Sequence, residues 1–144
     1  MRRNSFLAAM MIGLFVILAI GCRVSPQGPQ TSTACSDGEQ SVINEFLYFG
    51  RAWPGGTVSD EQWSQFLTDT VTPVFPDGLT VWNAYGQYRV DDGPVSSEQT
   101  YILNVIHPAD IAIDAAIGSI KREYISRYDQ DSVLQVRYPA CATF

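Results

Sequence analysis

The chain has 144 residues, of which 46% are apolar and 17% charged. That length fits one domain, and that balance excludes a disordered chain. Nine Lys and Arg stand against fifteen Asp and Glu, a net charge of −6; this sign repels phosphate backbones and argues against nucleic-acid binding.

The first segment reads as an export leader. Met1 to Ser5 is a short positive stretch, and Phe6 to Ile20 is an uncharged, mostly apolar run. The run is short for a spanning helix, which needs about 20 residues, and suits a secretory signal. It ends in Leu18-Ala19-Ile20-Gly21-Cys22, which looks like a bacterial lipobox, with Ala19 where Leu is commoner. The reading is a signal peptide over 1–21 and acylation of Cys22, a lipoprotein anchor of the palmitate kind. The alternatives are an ordinary signal peptide or an uncleaved anchor. Loss of Arg2 and Arg3 with the leader takes the mature chain from −6 to −8. Arg23 after the Cys, where an Asp retains lipoproteins at the inner membrane, points to the outer membrane, facing the periplasm, if the host is Gram-negative. Residues 22–34 then form a tether rich in Pro, Gly, Gln, Ser and Thr, reaching about 20 Å.

Two cysteines remain, Cys35 and Cys141. An oxidising envelope permits them to pair; the alternative is two free or buried thiols. One His and three Cys are too few for a protein zinc site of the usual kind. No phosphate-binding glycine loop or nucleophile elbow is present. Neither a metal nor a cofactor is therefore expected.

Residues 35–144 read as one domain. Phe46 to Gly50 is an apolar and aromatic strand that runs into the Pro54-Gly55-Gly56 turn. Ser59 to Gln62 is a helix start, with Ser59 as cap and Gln62 closing a capping box. Trp63, Phe66, Leu67 and Val71 then share one helix face, and Pro73 ends the helix near Val71. Leu79 to Tyr88 is the second strand after the Pro76-Asp77-Gly78 turn, and Asp91 to Pro94 is a hairpin loop. Gln99 to His107 is a third, central strand, apolar on both faces. A long helix starts near Asp110 and carries Ile113, Ile117, Ile120 and Tyr124 at helical spacing. Val133 to Tyr138 is the last strand, closed by Pro139.

Strand, helix, strand, strand, helix, strand is the ferredoxin-like β-α-β-β-α-β plan, an α+β two-layer sandwich. In its usual strand order, 4-1-3-2, the end of the last strand lies beside the start of the first. Cys141 and Cys35 occupy those two places, so the fold and the disulfide readings support each other.

Several segments together are distinctive: Tyr48-Phe49-Gly50-Arg51, Pro54 to Ser59, Trp63 with Phe66, Phe75 to Thr80, Gly86-Gln87-Tyr88-Arg89 and Pro139-Ala140-Cys141. Over about Cys35 to Phe144 they resemble a family of small bacterial envelope proteins of unknown function, domain-of-unknown-function family 3574. The resemblance implies fold and location and no activity. Where the family carries an acid in the middle of the second strand this chain has Asn83, so a role needing a carboxylate there does not carry over.

Five residues stand out as candidates for a ligand site or an interface. Arg51 and Trp53 flank the glycine turn and could grip an anionic or sugar-like ligand; the plainer reading is a loop that packs its own Trp and exposes its Arg. Tyr85 and Gln87, with Asn83, share one face of the second strand. Polar and aromatic groups there suit a ligand cavity, a dimer interface or a partly solvated face. Leu79 and Val81 on that same face pull it toward the core. His107 could be a general base, or a hydrogen-bonded residue where strand gives way to helix. Asp91, Asp92, Asp129 and Asp131 lack calcium-loop spacing and read as solvated acids.

The sequence thus points to a non-enzymatic, membrane-tethered envelope lipoprotein that binds a partner protein or itself through an open sheet face. The alternative is a small-molecule binder or enzyme of the dimeric α/β-barrel type, with Arg51, Tyr85, Gln87 and His107 as its working residues.

Overall fold

A computed structural model describes residues 34–89 and 91–144. The expected leader, Cys22 and nearly all of the tether lie outside these residues. Among the described residues no helix is long and apolar enough to cross a membrane.

The domain is α+β, with a four-stranded antiparallel sheet and two helices. Strand β1 spans Gln40–Gly50, and β2 (Ala52–Trp53) with β3 (Gly56–Thr57) forms a small separate hairpin. Helix α1 is Asp60–Phe66, continued by a π-helical turn over Leu67–Val71. Strands β4 (Thr80–Arg89) and β5 (Val95–His107) follow, then α2 (Ile111–Tyr128) and β6 (Leu134–Ala142). The sheet order is β4-β5-β1-β6.

Strand β1 is longer than its sequence suggests. It pairs with β5 on one side and β6 on the other, and this double pairing carries the polar Asn44 and Glu45 into a central strand. Tertiary pairing overrides local preference here. Strand β6 likewise runs on through Pro139. It is an edge strand, where a missing N–H can face outward without breaking a ladder. Helix α1 begins as its capping box dictates: Ser59 Oγ accepts from Gln62 N–H, and Gln62 Oε1 accepts from Ser59 N–H. It does not stay α-helical to Val71. Thr72 N–H donates to Leu67 O, five residues back, at 2.8 Å. That wider turn brings Val71 onto the buried face of Phe66.

The core lies between the sheet and both helices. Leu47 and Phe49 of β1 and Tyr101, Leu103 and Val105 of β5 meet Trp63, Phe66 and Val71, and Ile117, Ile120 and Tyr124 of α2. Aromatic rings dominate it: Trp63 stacks on Tyr101 with centroids 4.4 Å apart, and Phe49 meets Tyr124 edge-on at 4.7 Å. Cys35 and Cys141 are joined in a disulfide, with Cα atoms 5.6 Å apart. The β1–β6 register makes this possible, because it sets Cys141 opposite Ser41.

Candidate functional site

Alternation along the strands decides which side chains meet the helices. The opposite sheet face carries Phe46 and Tyr48 of β1, Trp82 and Tyr88 of β4, Ile102 and Ile106 of β5, and Leu134, Val136 and Tyr138 of β6, as the registers require. No element among the described residues covers it. Trp82, Tyr88, Ile106, Leu134, Val136 and Tyr138 are all exposed. Phe46 lies between Trp82 and Tyr138, 6.0 and 6.2 Å from each ring. Polar groups in the middle of the face satisfy one another. Asn44 Nδ2 donates to Tyr138 Oη at 3.0 Å, and Asn104 Nδ2 donates to Asn44 Oδ1 and, at 2.9 Å, to Glu45 O.

The open face is thus that of Trp82 and Tyr88, not that of Tyr85 and Gln87. Leu79 and Val81 pack on the core, so Asn83, Tyr85 and Gln87 point to the helix side, where β4 extends past the helices. Tyr85 is 66% exposed there, and Gln87 reaches only the Ser97 hydroxyl across the hairpin, at 3.5 Å.

Arg51 and Tyr85 do meet, in a shallow cleft of about 350 Å3 with Asn83 and Gln99. Yet Arg51 is not a free cation. Its Nε donates to Val58 O at 3.0 Å, its NH2 lies 3.1 Å from Asp60 Oδ1, and its guanidinium sits 4.4 Å over the Tyr101 ring. Tyr101 Oη donates to the same Asp60 oxygen at 2.6 Å. The group ties the small hairpin to the start of α1 and to the sheet. Burial first, and the bond to Asp60 second, push the Tyr101 phenol well above its usual range. Burial does the same to Tyr124, whose hydroxyl donates to Gly50 O at 2.8 Å.

Trp53 belongs to another cleft, of about 530 Å3, at the rim of the open face where β1 ends. Tyr48 and Tyr88 line it from the sheet, and Glu98, Asp129 and Asp131 supply carboxylates. Two glycines shape this end. A methyl group at Gly55 would come within 2.3 Å of the Trp53 indole, and one at Gly50 within 2.5 Å of Glu98 Oε1. Gly50 therefore lets Glu98 close on the backbone, where it accepts from Ala52 N–H at 3.2 Å. Gln130 Nε2 donates to Ala52 O at 2.6 Å and fixes the end of α2 against the same segment.

His107 joins neither cleft. It ends β5, buried, with Nε2 3.1 Å from Glu45 Oε2 and Nδ1 2.7 Å from Pro108 O. A carbonyl only accepts, so Nδ1 donates to Pro108 O, and Nε2 faces the Glu45 carboxylate. Gln135 Nε2 donates to Glu45 Oε1, and Lys121 Nζ donates to Gln135 Oε1 at 2.9 Å. Arg137 lies 4.0 Å from Glu45 and 3.0 Å from Asp114. The network joins β1, β5, β6 and α2. Glu45 is fully buried, so the pair meets no solute unless the helix layer opens, and its role is to fix the layers.

The five candidates therefore fall in four places: Arg51 with Tyr85, Gln87 farther along β4, Trp53 in the rim cleft and His107 in the core. The sequence missed the Trp82–Tyr138 face, whose signal was the apolar, uncharged inner half of each strand. It also missed Glu45, whose signal was an acid in step with Leu47 and Phe49.

The fold and its surface define an α+β domain whose sheet is covered by helices on one face and presents aromatic side chains on the other. The chain belongs to the DUF3574 family of proteins of unknown function, whose family model matches residues 44–144. None of the curated proteins matches it. Two solved structures share the fold. One is a phage SAM lyase in complex with S-methyl-5'-thioadenosine, 13% identical, covering 76% of this chain and 92% of that chain, with a TM-score of 0.50. The other is a phage SAM lyase in the apo state, 14% identical, covering 74% and 91%, with a TM-score of 0.51.

Proposed function

We propose that this protein is a lipid-anchored module of the bacterial envelope that assembles with a second copy of itself through the open sheet face. The observation that carries the reading is the aromatic and apolar face itself. Contiguous exposed patches of that kind mark interaction sites. Four strands about 4.8 Å apart and some ten residues long present about 600 Å2 of flat area, or about 1,200 Å2 for two copies, the lower end of stable interfaces before side-chain relief is counted. The middle of the face carries no charged side chain, and the acids Glu98, Asp129 and Asp131 lie together at one rim. The β4-β5-β1-β6 order supports the ferredoxin-like plan, in which such a face is free to pair. The Cys35–Cys141 bond supports an oxidising compartment, and the lipobox-like Cys22 supports the anchor.

Sedimentation of the full chain in detergent tests the assembly. Wild type sediments as a dimer or larger species, and Trp82→Lys with Val136→Lys sediments as a monomer with an unchanged far-ultraviolet spectrum. A monomeric wild type sinks the reading. Membrane fractionation of Cys22→Ser tests the anchor: the variant stays unprocessed and unacylated.

A second reading, a small-molecule binder or enzyme of the dimeric α/β-barrel type, is favoured by the rim cleft. The likeness to a phage SAM lyase in complex with S-methyl-5'-thioadenosine supports it as a matter of fold.

A further inference from the structure

We infer that the rim cleft is a binding site for a small organic cation carrying a flat or apolar group. This rests on the small-molecule reading of the cleft and adds the chemical class of the ligand. The volume, about 530 Å3, falls within the range of about 300–1,000 Å3 usual for small-molecule sites. Its walls combine two features that select a cation. Tyr48, Trp53 and Tyr88 line it with aromatic side chains, and aromatic rings attract a cation through the ring quadrupole and an apolar group by contact. Glu98, Asp129 and Asp131 supply negative charge, and no Lys, Arg or His is among the lining residues.

The fold adds to that field. Helix α2 runs for 18 residues and ends at Tyr128, with Asp129 as its cap in a left-handed conformation, φ 47°. The negative end of its dipole therefore faces the cleft. The cation of the last turn, Arg127, is turned away and paired with Glu123 at 2.8 Å. A bare metal ion does not fit the arrangement. Among the described residues, the three carboxylates do not bring their oxygens within 4.8 Å of one another, as a metal shell needs. Charge spread around aromatic walls suits an ammonium or sulfonium group with bulk.

Titration of the isotope-labelled full chain in detergent, read at the Trp53 indole N–H by nuclear magnetic resonance, tests this. The probes are benzyltrimethylammonium, benzyl alcohol and calcium chloride. The cation shifts the Trp53 signal saturably at millimolar concentration. The neutral alcohol needs roughly tenfold more, the difference a cation–π and carboxylate contact supplies. Glu98→Gln, Asp129→Asn and Asp131→Asn together remove the preference while the alcohol binds as before. Asn tolerates the left-handed backbone at 129, and Gln keeps the acceptor for Ala52 N–H, so the fold survives. Equal binding of cation and alcohol overturns the inference but leaves a small-molecule cleft. Tighter binding of calcium than of the organic cation overturns it in favour of a metal site. No saturable shift with any probe overturns the inference and the small-molecule reading together.

Discussion

Glu45 sits on the helix side of β1, in step with Leu47 and Phe49, and every partner it has comes from another element. His107 arrives from β5, and Gln135 and Arg137 from β6. A buried polar network of this kind is held by its mutual bonds, and removing one member strands the rest. Glu45→Ala should lower the unfolding free energy by about 3–5 kcal/mol, measured by urea denaturation. His107→Ala should also destabilise, and the double variant should cost less than the two singles combined by about 1 kcal/mol or more. Additive losses would mean that the two side chains do not act as a pair. Arg51 teaches the complementary lesson. Beside a glycine turn it looks like a ligand-gripping cation, yet three contacts to Val58, Asp60 and Tyr101 hold it. A residue's chemistry in sequence is an offer, and its neighbours in space decide whether that offer is already taken.

At the scale of elements, helix packing on the sheet is what ties the aromatic core together, and two phenols at that seam report on it. Tyr101 and Tyr124 have pKa values raised in the folded state, chiefly by burial. A raised folded value favours the neutral form, so the associated stability is complete below the unfolded value of about 10 and is lost as pH climbs from there through the folded values. Urea midpoints should hold steady up to pH of about 10 and then fall, and phenolate absorbance at 295 nm should jump at unfolding. Tyr101→Phe and Tyr124→Phe together should flatten the decline; a decline of unchanged depth would place its cause elsewhere. Much of this layer was legible in sequence. The capping box at Ser59 and the apolar faces of both helices are local signals, and the element order follows from them. The start of β1, the π-helical turn and the run of β6 through Pro139 were not legible. Each is fixed by long-range partners: two flanking strands, a core position for Val71 and an edge in the sheet. The clefts were half legible. Arg51, Trp53 and Tyr85 were singled out by type and turn context, but which of them meet depends on the β4–β5–β1 register, which no local pattern encodes.

For the molecule as a whole, the Cys35–Cys141 bond closes a loop with a sequence separation of 106, which contains all the described strands and helices but for the last residue of β6. Such a cross-link acts chiefly on the unfolded chain, whose freedom it restricts. The native sheet already holds the two ends together, since β1 and β6 pair from Gln40↔Ala142 to Tyr48↔Leu134. Reduction should therefore leave the folded state nearly unchanged and stabilise the unfolded one by up to about 4.7 kcal/mol in the chain-entropy account. Cys35→Ser with Cys141→Ser should show a native near-ultraviolet spectrum at low urea and a lower unfolding midpoint. Its denaturant slope should be steeper, because a chain without the link exposes more surface when it unfolds. The slope separates this account from its rival. If the bond instead held strained native contacts in place, the near-ultraviolet spectrum would change and the slope would stay the same. The domain would then lose most of a stability margin of about 5–15 kcal/mol only when reduction is added to a second loss, such as that of Glu45.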